Sequence, residues 1–263
     1  MNKSFLYQNK KIFYRTAGTG SPVILIHGFG EDGTVWRKQV AALQDKFQLI
    51  IPDLPGSGQS EEIDDMSMEG MAEIIHHIIH EEKIESCPVI GHSMGGYVLL
   101  AFMEKYWNHV SAFGLFHSSA FADSDEKKTI RRKGIEFINQ HGAFEFLKTT
   151  APNLFSPHTK DERPELIDEQ VARLDNFSPT ALVSYYEAMM QRPDRTDILR
   201  KATVPVLFIM GKYDAAVPIE DGLKQCHLPE KSYIHMLQQS GHMGMLEEPV
   251  NSNRFLEEFL LEI

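Results

Sequence analysis

The stretch Val89-Ile90-Gly91-His92-Ser93-Met94-Gly95-Gly96 decides the fold of this chain. An apolar run over residues 88–90 leads into it, and a helical pattern over residues 97–106 follows at once. This context places G-x-S-x-G between a strand and a helix, which is typical of a nucleophile elbow. Glycines are needed there because a sharp strand-to-helix turn leaves no room for Cβ atoms two residues either side of the serine. We therefore predict that Ser93 presents a reactive hydroxyl, with the free N–H groups of a helix N-terminus behind it.

Apolar runs and helical patterns alternate through most of the remaining chain. A hairpin is predicted over residues 4–16, and strands are predicted at runs rich in apolar residues, of which 23–27 is continuous and expected to be buried on both faces. These strands cover residues 23–27, 47–51, 88–90, 110–116, 205–210 and 232–237. Helical spacing covers residues 34–45, 67–83, 97–106, 219–226 and 249–262. The alternation predicts an α/β fold with a mostly parallel central sheet and helices on both faces.

The alternation stops in the middle of the chain. Residues 120–200 contain no convincing strand pattern, and prolines punctuate a series of helical patterns there. We interpret this segment as a helical cap inserted into the sheet domain. The predicted organisation is an α/β core formed by residues 1–119 and 201–263, with the cap over residues 120–200.

Composition narrows the class of protein. The chain has 263 residues, of which 42% are apolar, and its net charge is −11. A strongly acidic chain without a long basic run argues against a nucleic-acid partner. No apolar run approaches the length of a membrane span, and the N-terminus lacks the apolar region of a signal peptide. Two cysteines, Cys87 and Cys226, are expected to be buried and reduced. We expect a cytoplasmic protein without a membrane partner.

A serine needs a base and an orienting acid to act as a nucleophile. In nucleophile-elbow enzymes the chain order is serine, acid, histidine. Asp214 follows the predicted strand 205–210, and His242 follows strand 232–237. Strand ends of this kind meet at one edge of a parallel sheet. We predict Ser93, Asp214 and His242 as catalytic residues, with Asp123 as a rival acid because it also follows a strand.

Acyl transfer also needs N–H donors for the oxyanion. One donor is expected from the residue after the nucleophile, which is Met94. The second is expected from the loop after the first buried strand, and we predict the N–H of Phe29.

Two further patterns point to other chemistry and are weaker. His76, His77 and His80 spell H-H-x-x-H on a helix, but no third metal ligand is evident, so a polar helix face is the expected explanation and no metal is predicted. The segment Gly28-Phe29-Gly30-Glu31-Asp32-Gly33 reads as G-x-G-x-x-G, with Asp53 about twenty residues later. Glu31 and Asp32 would place carboxylates where a pyrophosphate must bind. No cofactor is therefore predicted.

Five motifs together resemble those of the α/β-hydrolase fold superfamily. They are His27-Gly28-Phe29-Gly30, the segment 53–60, Gly91-His92-Ser93-Met94-Gly95-Gly96, Gly211-Lys212-Tyr213-Asp214 and Ser240-Gly241-His242. The resemblance covers nearly the whole chain and is to the branch of small serine esterases, enol-lactonases and carbon–carbon bond hydrolases. It implies that Ser93, Asp214 and His242 form a triad and that residues 120–200 form a cap. A serine at the nucleophile position, where haloalkane dehalogenases and epoxide hydrolases have aspartate, argues against those two activities.

The expected reaction is hydrolysis of a small, mostly apolar carboxylic ester or lactone. Carbon–carbon bond hydrolysis, a lyase step of menaquinone synthesis and a small-molecule receptor role remain alternatives, because fold and triad do not set the substrate. The basic run Arg131-Arg132-Lys133 is expected to be a solvated helix face. Residues expected to line the substrate pocket are mostly apolar: His27, Phe121, Leu154, Phe155, Phe177, Tyr185, Tyr186, Met189, Met190 and Met243.

Overall fold

A central sheet of eight strands runs through the protein in the computed structural model, which describes residues 1–263. The spatial order of the strands is β1-β2-β4-β3-β5-β6-β7-β8. The first strand of this order pairs antiparallel with the second, and the second pairs antiparallel with β4. All other neighbours pair in parallel, as the alternating sequence pattern predicts. The strands are β1 (Asn2–Tyr7), β2 (Lys10–Ala17), β3 (Ser21–Ile26), β4 (Phe47–Pro52), β5 (Cys87–His92), β6 (Val110–Phe116), β7 (Val206–Gly211) and β8 (Ser232–Leu237).

Twelve α-helices connect and cover the strands. The helices are α1 (Arg37–Leu43), α2 (Met68–Glu81), α3 (Met94–Tyr106), α4 (Asp125–His141), α5 (Ala143–Thr150), α6 (Pro157–Glu162), α7 (Pro164–Val171), α8 (Pro179–Gln191), α9 (Thr196–Arg200), α10 (Ile219–Leu223), α11 (Gly244–Glu247) and α12 (Pro249–Glu262). Short 3-10 turns add Gly33–Trp36, Trp107–His109 and Ala151–Leu154. None of the helices combines the length and the apolar character that a membrane crossing requires.

Strand β3 shows why a strand buried on both faces carries a continuous run of apolar residues. Successive side chains of a strand point to opposite faces of the sheet. Ile24 and Ile26 belong to one hydrophobic cluster, together with residues of α2 and α3. Val23 and Leu25 belong to the other cluster, together with residues of α1 and α12. Both faces are covered, so residues 23–26 are all buried and favour apolar side chains.

The turn at Ser93 has the geometry of a nucleophile elbow. Ser93 lies between β5 and α3 with φ 50° and ψ −117°, in a region that non-glycine residues rarely adopt. A Cβ added at Gly91 would lie 2.4 Å from the carbonyl oxygen of Gly95. One added at Gly95 would lie 2.5 Å from the carbonyl oxygen of His27. The steric reason given for the flanking glycines is therefore confirmed.

Residues 120–200, here called the helical segment, leave the sheet after β6 and return at β7. The segment contains α4 to α9 and no strand. Tyr185 of α8 is buried, and its hydroxyl donates to the carbonyl oxygen of Pro55 in the loop after β4. The same hydroxyl lies 2.8 Å from Ser57 Oγ. This contact attaches the helical segment to the loop over the carboxyl ends of the strands.

Candidate active site

Three side chains meet at the carboxyl edge of the parallel strands. Ser93 follows β5, Asp214 follows β7 and His242 follows β8. Nδ1 of His242 lies 2.8 Å from Oδ2 of Asp214. Ser93 and His242 both line one cavity. The sheet topology thus brings the three predicted residues to one place from positions up to 149 residues apart in the chain.

Asp214 is held as a buried carboxylate by a full set of donors. Its Oδ1 accepts backbone N–H groups from Ala216 at 2.9 Å and Val217 at 2.8 Å. Its Oδ2 faces the Nδ1 atoms of His242 and His117. Burial alone would raise the pKa of the Asp214 carboxyl, but the two histidines and their hydrogen bonds outweigh burial and hold that pKa well below its usual value. Asp214 is therefore ionised throughout the neutral range.

The same carboxylate, that of Asp214, sets the pKa of His242. Burial disfavours a charged imidazole, but the neighbouring Asp214 carboxylate outweighs it, so the pKa of His242 is raised above its ordinary value. Because Nδ1 donates to Asp214, Nε2 is the nitrogen left to accept a proton. The Ser93 hydroxyl makes no hydrogen bond within the chain. In apo sites such contacts often tighten only with substrate bound.

His117 is a second histidine on Asp214 that sequence analysis did not identify. It directly follows β6, and its Nδ1 donates to Asp214 Oδ2 at 3.0 Å. Its Nε2 is buried without a partner, and burial lowers the pKa of His117 to about 4. A Cβ at Gly211 or Gly244 would lie 2.7 or 2.4 Å from this ring, so glycine at both positions makes room for it. The signal that could have identified His117 is its position. It directly follows β6, and β6 lies beside β7, the strand that precedes Asp214.

Two backbone N–H groups beside Ser93 are free. The N–H groups of Phe29 and Met94 donate to no acceptor within the chain. Met94 begins α3, so its N–H belongs to the unpaired first turn of the helix. Phe29 lies in the loop after β3. These are the two positions predicted for the oxyanion donors, and either N–H is available to a ligand.

A buried acid fixes the loop that carries Phe29. Glu31 Oε2 accepts the backbone N–H of Gly28 at 2.7 Å and lies 2.9 Å from Nδ1 of His92. Burial would raise the pKa of Glu31, but His92 and these hydrogen bonds outweigh it and lower that pKa. His92 Nε2 in turn lies 3.0 Å from the carbonyl oxygen of His242. The chain Glu31–His92–His242 therefore joins the Phe29 loop to the loop of the candidate base.

The cavity beside Ser93 has a volume of about 260 Å³ and a mostly apolar lining. Leu154, Tyr186 and Met189, all predicted to line a pocket, do line it. Phe155 and Met243 line a smaller neighbouring cavity of about 90 Å³, which shares Leu154 and Tyr186 with the first. The apolar wall thus comes largely from the helical segment.

Five residues that were predicted to line the pocket lie outside the two cavities near Ser93, and these expectations are corrected. His27 is fully buried, with Nε2 accepting the N–H of Leu54 and Nδ1 facing the carbonyl oxygen of Gly28. Tyr185 is buried by its contact with the loop after β4. Phe121 lines a separate surface cleft beside Asp123. Phe177 and Met190 line neither of the two cavities near Ser93. Helical periodicity identifies apolar faces, but it does not distinguish a face that packs on protein from one that lines a cavity.

Two cations that were not predicted also line the Ser93 cavity. Arg131 is mostly buried rather than solvated, and its guanidinium pairs with Asp123 at 2.5 Å and lies 5.4 Å from the ring centroid of Tyr186. Lys127 Nζ lies 3.4 Å from Asp221 Oδ2. Each cation shares its carboxylate with a second cation, because Asp123 also pairs with Arg192 and Asp221 also pairs with Lys224. Asp123, the alternative candidate for the catalytic acid, forms ion pairs with Arg131 and Arg192 and not with a histidine.

Two acidic residues in and after the glycine-rich loop that follows β3 make contacts within the protein. Asp53 pairs with Arg15 and accepts the N–H of Gly33 at 2.9 Å. Asp32 caps the following 3-10 turn by accepting the N–H of Thr34. Asp53, the acid that matches the fingerprint, is thus occupied by contacts within the protein.

This fold and site define the class of protein. The family model of the α/β-hydrolase fold matches residues 21–134, and a solved esterase of that fold matches almost the whole chain. The chain belongs to the α/β-hydrolase fold family.

Three known proteins are similar to this chain over most of its length. A thermophilic esterase from Thermogutta terrifontis is 30% identical, with a TM-score of 0.91 over 96% of this chain and 94% of that one. A pimeloyl-[acyl-carrier protein] methyl ester esterase of Vibrio cholerae is 26% identical over 90% of this chain and 93% of the relative. The enol-lactonase from Burkholderia xenovorans, at 20% identity and a TM-score of 0.90 over 98% of this chain and 100% of that one, shares the fold. The resemblance predicted from sequence motifs is confirmed.

Proposed function

We propose that this protein hydrolyses small carboxylic esters or lactones through Ser93, His242 and Asp214. One observation carries the proposal. A buried histidine–carboxylate pair faces the same cavity as a serine held in a strained elbow. Esterase relatives at 26% and 30% identity support the choice of bond.

The proposed reaction proceeds through an acyl-enzyme. His242 Nε2 takes the Ser93 proton as Oγ attacks the ester carbonyl, and the N–H groups of Phe29 and Met94 stabilise the oxyanion. Collapse of the tetrahedral intermediate breaks the C–O bond, and His242 returns the proton to the leaving alkoxide. Water then attacks the acyl-enzyme, with His242 again as base, and releases the acid. Asp214 remains ionised and stabilises the imidazolium in both halves.

The helical segment is proposed to act as a cap that selects the acyl group. It supplies Leu154, Tyr186 and Met189 to the cavity wall. Arg131 and Lys127 are each engaged by a carboxylate, and most of the residues that line the cavity are apolar. A short or medium, mostly apolar acyl chain is therefore the proposed specificity. Methyl esters belong in the test set because several curated relatives are named methyl ester esterases.

The proposal is tested with p-nitrophenyl esters from acetate to decanoate and with methyl esters of the same acids. Wild type is compared with Ser93→Ala, and with Ser86→Ala as a matched control at an exposed serine. We expect Ser93→Ala to lose at least about a thousandfold in kcat, since the nucleophile and base act as a unit. Ser86→Ala should match wild type, and the rate should peak at one chain length.

Two results would contradict the proposal. One is full activity of purified Ser93→Ala. The other is a wild type that turns over none of these esters faster than Ser93→Ala does, which would redirect attention to carbon–carbon bond cleavage or a receptor role.

A further inference from the structure

Three histidines converge at the amino edge of the parallel strands, opposite the edge that carries Ser93. His76 and His80 lie one turn apart on α2, and His109 lies directly before β6. One ligand atom from each ring lies within 4.8 Å of the other two, and Nε2 of His76 lies 3.1 Å from Nε2 of His80. The H-H-x-x-H pattern lacked a third ligand in the sequence. The structure brings His109, 29 residues after His80, to the place where a third ligand would lie.

Two of the three rings are held in place by other contacts. His109 Nδ1 lies 2.8 Å from the carbonyl oxygen of Glu85 and donates to it, which leaves the lone pair of Nε2 free. A carbonyl acceptor on the second nitrogen is the usual way in which a metal-binding histidine is oriented. The His76 ring stacks on Tyr106 at 3.8 Å between centroids and an interplanar angle of 9°. His80 is exposed and free to adjust.

The donor set of this cluster is three imidazoles, because the nearby carboxylate of Glu73 is already paired with Lys105. Glu73 lies one turn before His76 on α2 and accepts hydrogen bonds from Lys105 and Tyr106 at 2.7 and 2.6 Å. Three imidazoles this close cannot all be protonated without mutual repulsion. Neutral imidazole is the form that binds metal ions, and three imidazoles with an open position are a known zinc ligand set.

We propose that His76, His80 and His109 bind a divalent transition metal ion of the zinc type, with water in the fourth position. Tetrahedral Zn–N bonds of about 2.1 Å place ligand nitrogens about 3.4 Å apart. The pair His76–His80 is close to this spacing, and movement of the exposed His80 side chain adjusts the distances to His109, which keeps its contact with Glu85. The site ties α2 to the segment before β6. It lies at the amino edge of the parallel strands, whereas Ser93 lies at the carboxyl edge, so the metal has no part in the proposed hydrolysis.

The test is calorimetric titration of metal-free, tag-free full-length protein with Zn²⁺ at pH 7.5. We expect one site in wild type and a loss of at least tenfold in affinity in His109→Asn and in His80→Ala. Asparagine at 109 keeps a side-chain N–H for the Glu85 carbonyl but removes Nε2, so the fold is preserved. His227→Ala, at an exposed histidine elsewhere, should bind as wild type does. Zn²⁺ should raise the Tm of wild type and of His227→Ala more than that of His109→Asn.

The metal-free Tm of each variant shows whether it is folded. The proposal is overturned if His109→Asn binds Zn²⁺ with wild-type affinity, or if wild type binds none below about 1 mM, a weak limit for a protein site. Zinc bound instead by His117, Asp214 and His242 would persist in His109→Asn and would inhibit ester hydrolysis, so the two sites are distinguishable. The outcome does not depend on whether the protein is an esterase.

Discussion

Asp214 keeps its charge in a buried position because four N–H groups donate to its two oxygens. Two of these donors are imidazoles, and their roles differ. His242 faces the cavity and has a raised pKa, whereas His117 is sealed from it and has a pKa of about 4. His117 therefore contributes a neutral donor that stabilises the carboxylate, and in the proposed reaction proton transfer falls to His242. In the proposed reaction His117 acts through Asp214, so it is a positioning residue.

The low pKa of His117 predicts acid sensitivity of the fold. An unfolded histidine has a pKa of about 6.5, so between pH 6.5 and pH 4 the unfolded chain binds a proton at position 117 that the folded chain does not. The free energy of unfolding therefore falls as pH falls through this window, by up to about 1.4 kcal/mol per pH unit from this group. His117→Asn keeps a donor for Asp214, and asparagine tolerates the positive φ of 49°. We expect its unfolding free energy to depend less steeply on pH between 4 and 6.5.

Urea denaturation of wild type and His117→Asn at pH 4.5, 5.5 and 6.5 measures this difference. Other titrating groups are common to both proteins and cancel in the comparison. His242, with a raised pKa, adds stability that is lost only as pH rises through its folded value, so it does not imitate the effect. Equal slopes in the two proteins would show that His117 is not held neutral by burial.

Helix α2 shows how much of an element follows from its own residues. Ser67 accepts the N–H of Gly70 at 3.0 Å and caps the helix, which is a role that serine favours at this position. Met71, Ile75 and Ile78 are fully buried on the face toward the sheet. The polar face of the same helix carries His76 and His80, and nothing within α2 indicates their third partner.

Removal of the α2 cap tests the contribution of this contact. We expect Ser67→Ala to lower the free energy of unfolding by about 1 kcal/mol, because one N–H of the first helical turn loses its acceptor. Urea denaturation at pH 7 measures the change. Ser86→Ala, at an exposed serine with no side-chain hydrogen bond, should stay within about 0.5 kcal/mol of wild type. A Ser67→Ala variant as stable as the control would mean that water replaces the cap at no cost.

At the scale of the whole molecule, the helical segment is attached over the site by specific contacts. Tyr185 is fully buried, and its hydroxyl bridges α8 to Pro55 and Ser57. We expect Tyr185→Phe to lower the free energy of unfolding by about 1 to 2 kcal/mol, because a buried carbonyl loses its donor. The same measurement on Tyr213→Phe, at an exposed tyrosine, should show no change of this size. If the two variants are equally stable, this hydrogen bond does not stabilise the attachment.

The elbow, the parallel sheet and the chain order Ser93, Asp214, His242 follow from the sequence by itself. Each of these features depends on residues that are close together in the chain. Glycines relieve contacts within a few residues of Ser93. Continuous apolar runs indicate strands that are buried on both faces, and polar residues follow the ends of these strands. The helical character of residues 120–200 is local in the same way. Periodicity over ten or fifteen residues is enough to indicate each of these features.

Only the tertiary structure decided which residues from distant parts of the chain meet. His117 reaches Asp214 because β6 and β7 are neighbours, and His109 reaches His76 because α2 packs beside α3. Tyr185 and Tyr186 are adjacent in sequence, yet one bridges to a loop and the other lines the cavity. Such contacts depend on the relative placement of whole elements, which is set by packing across the entire core and leaves no signal in a short stretch of sequence.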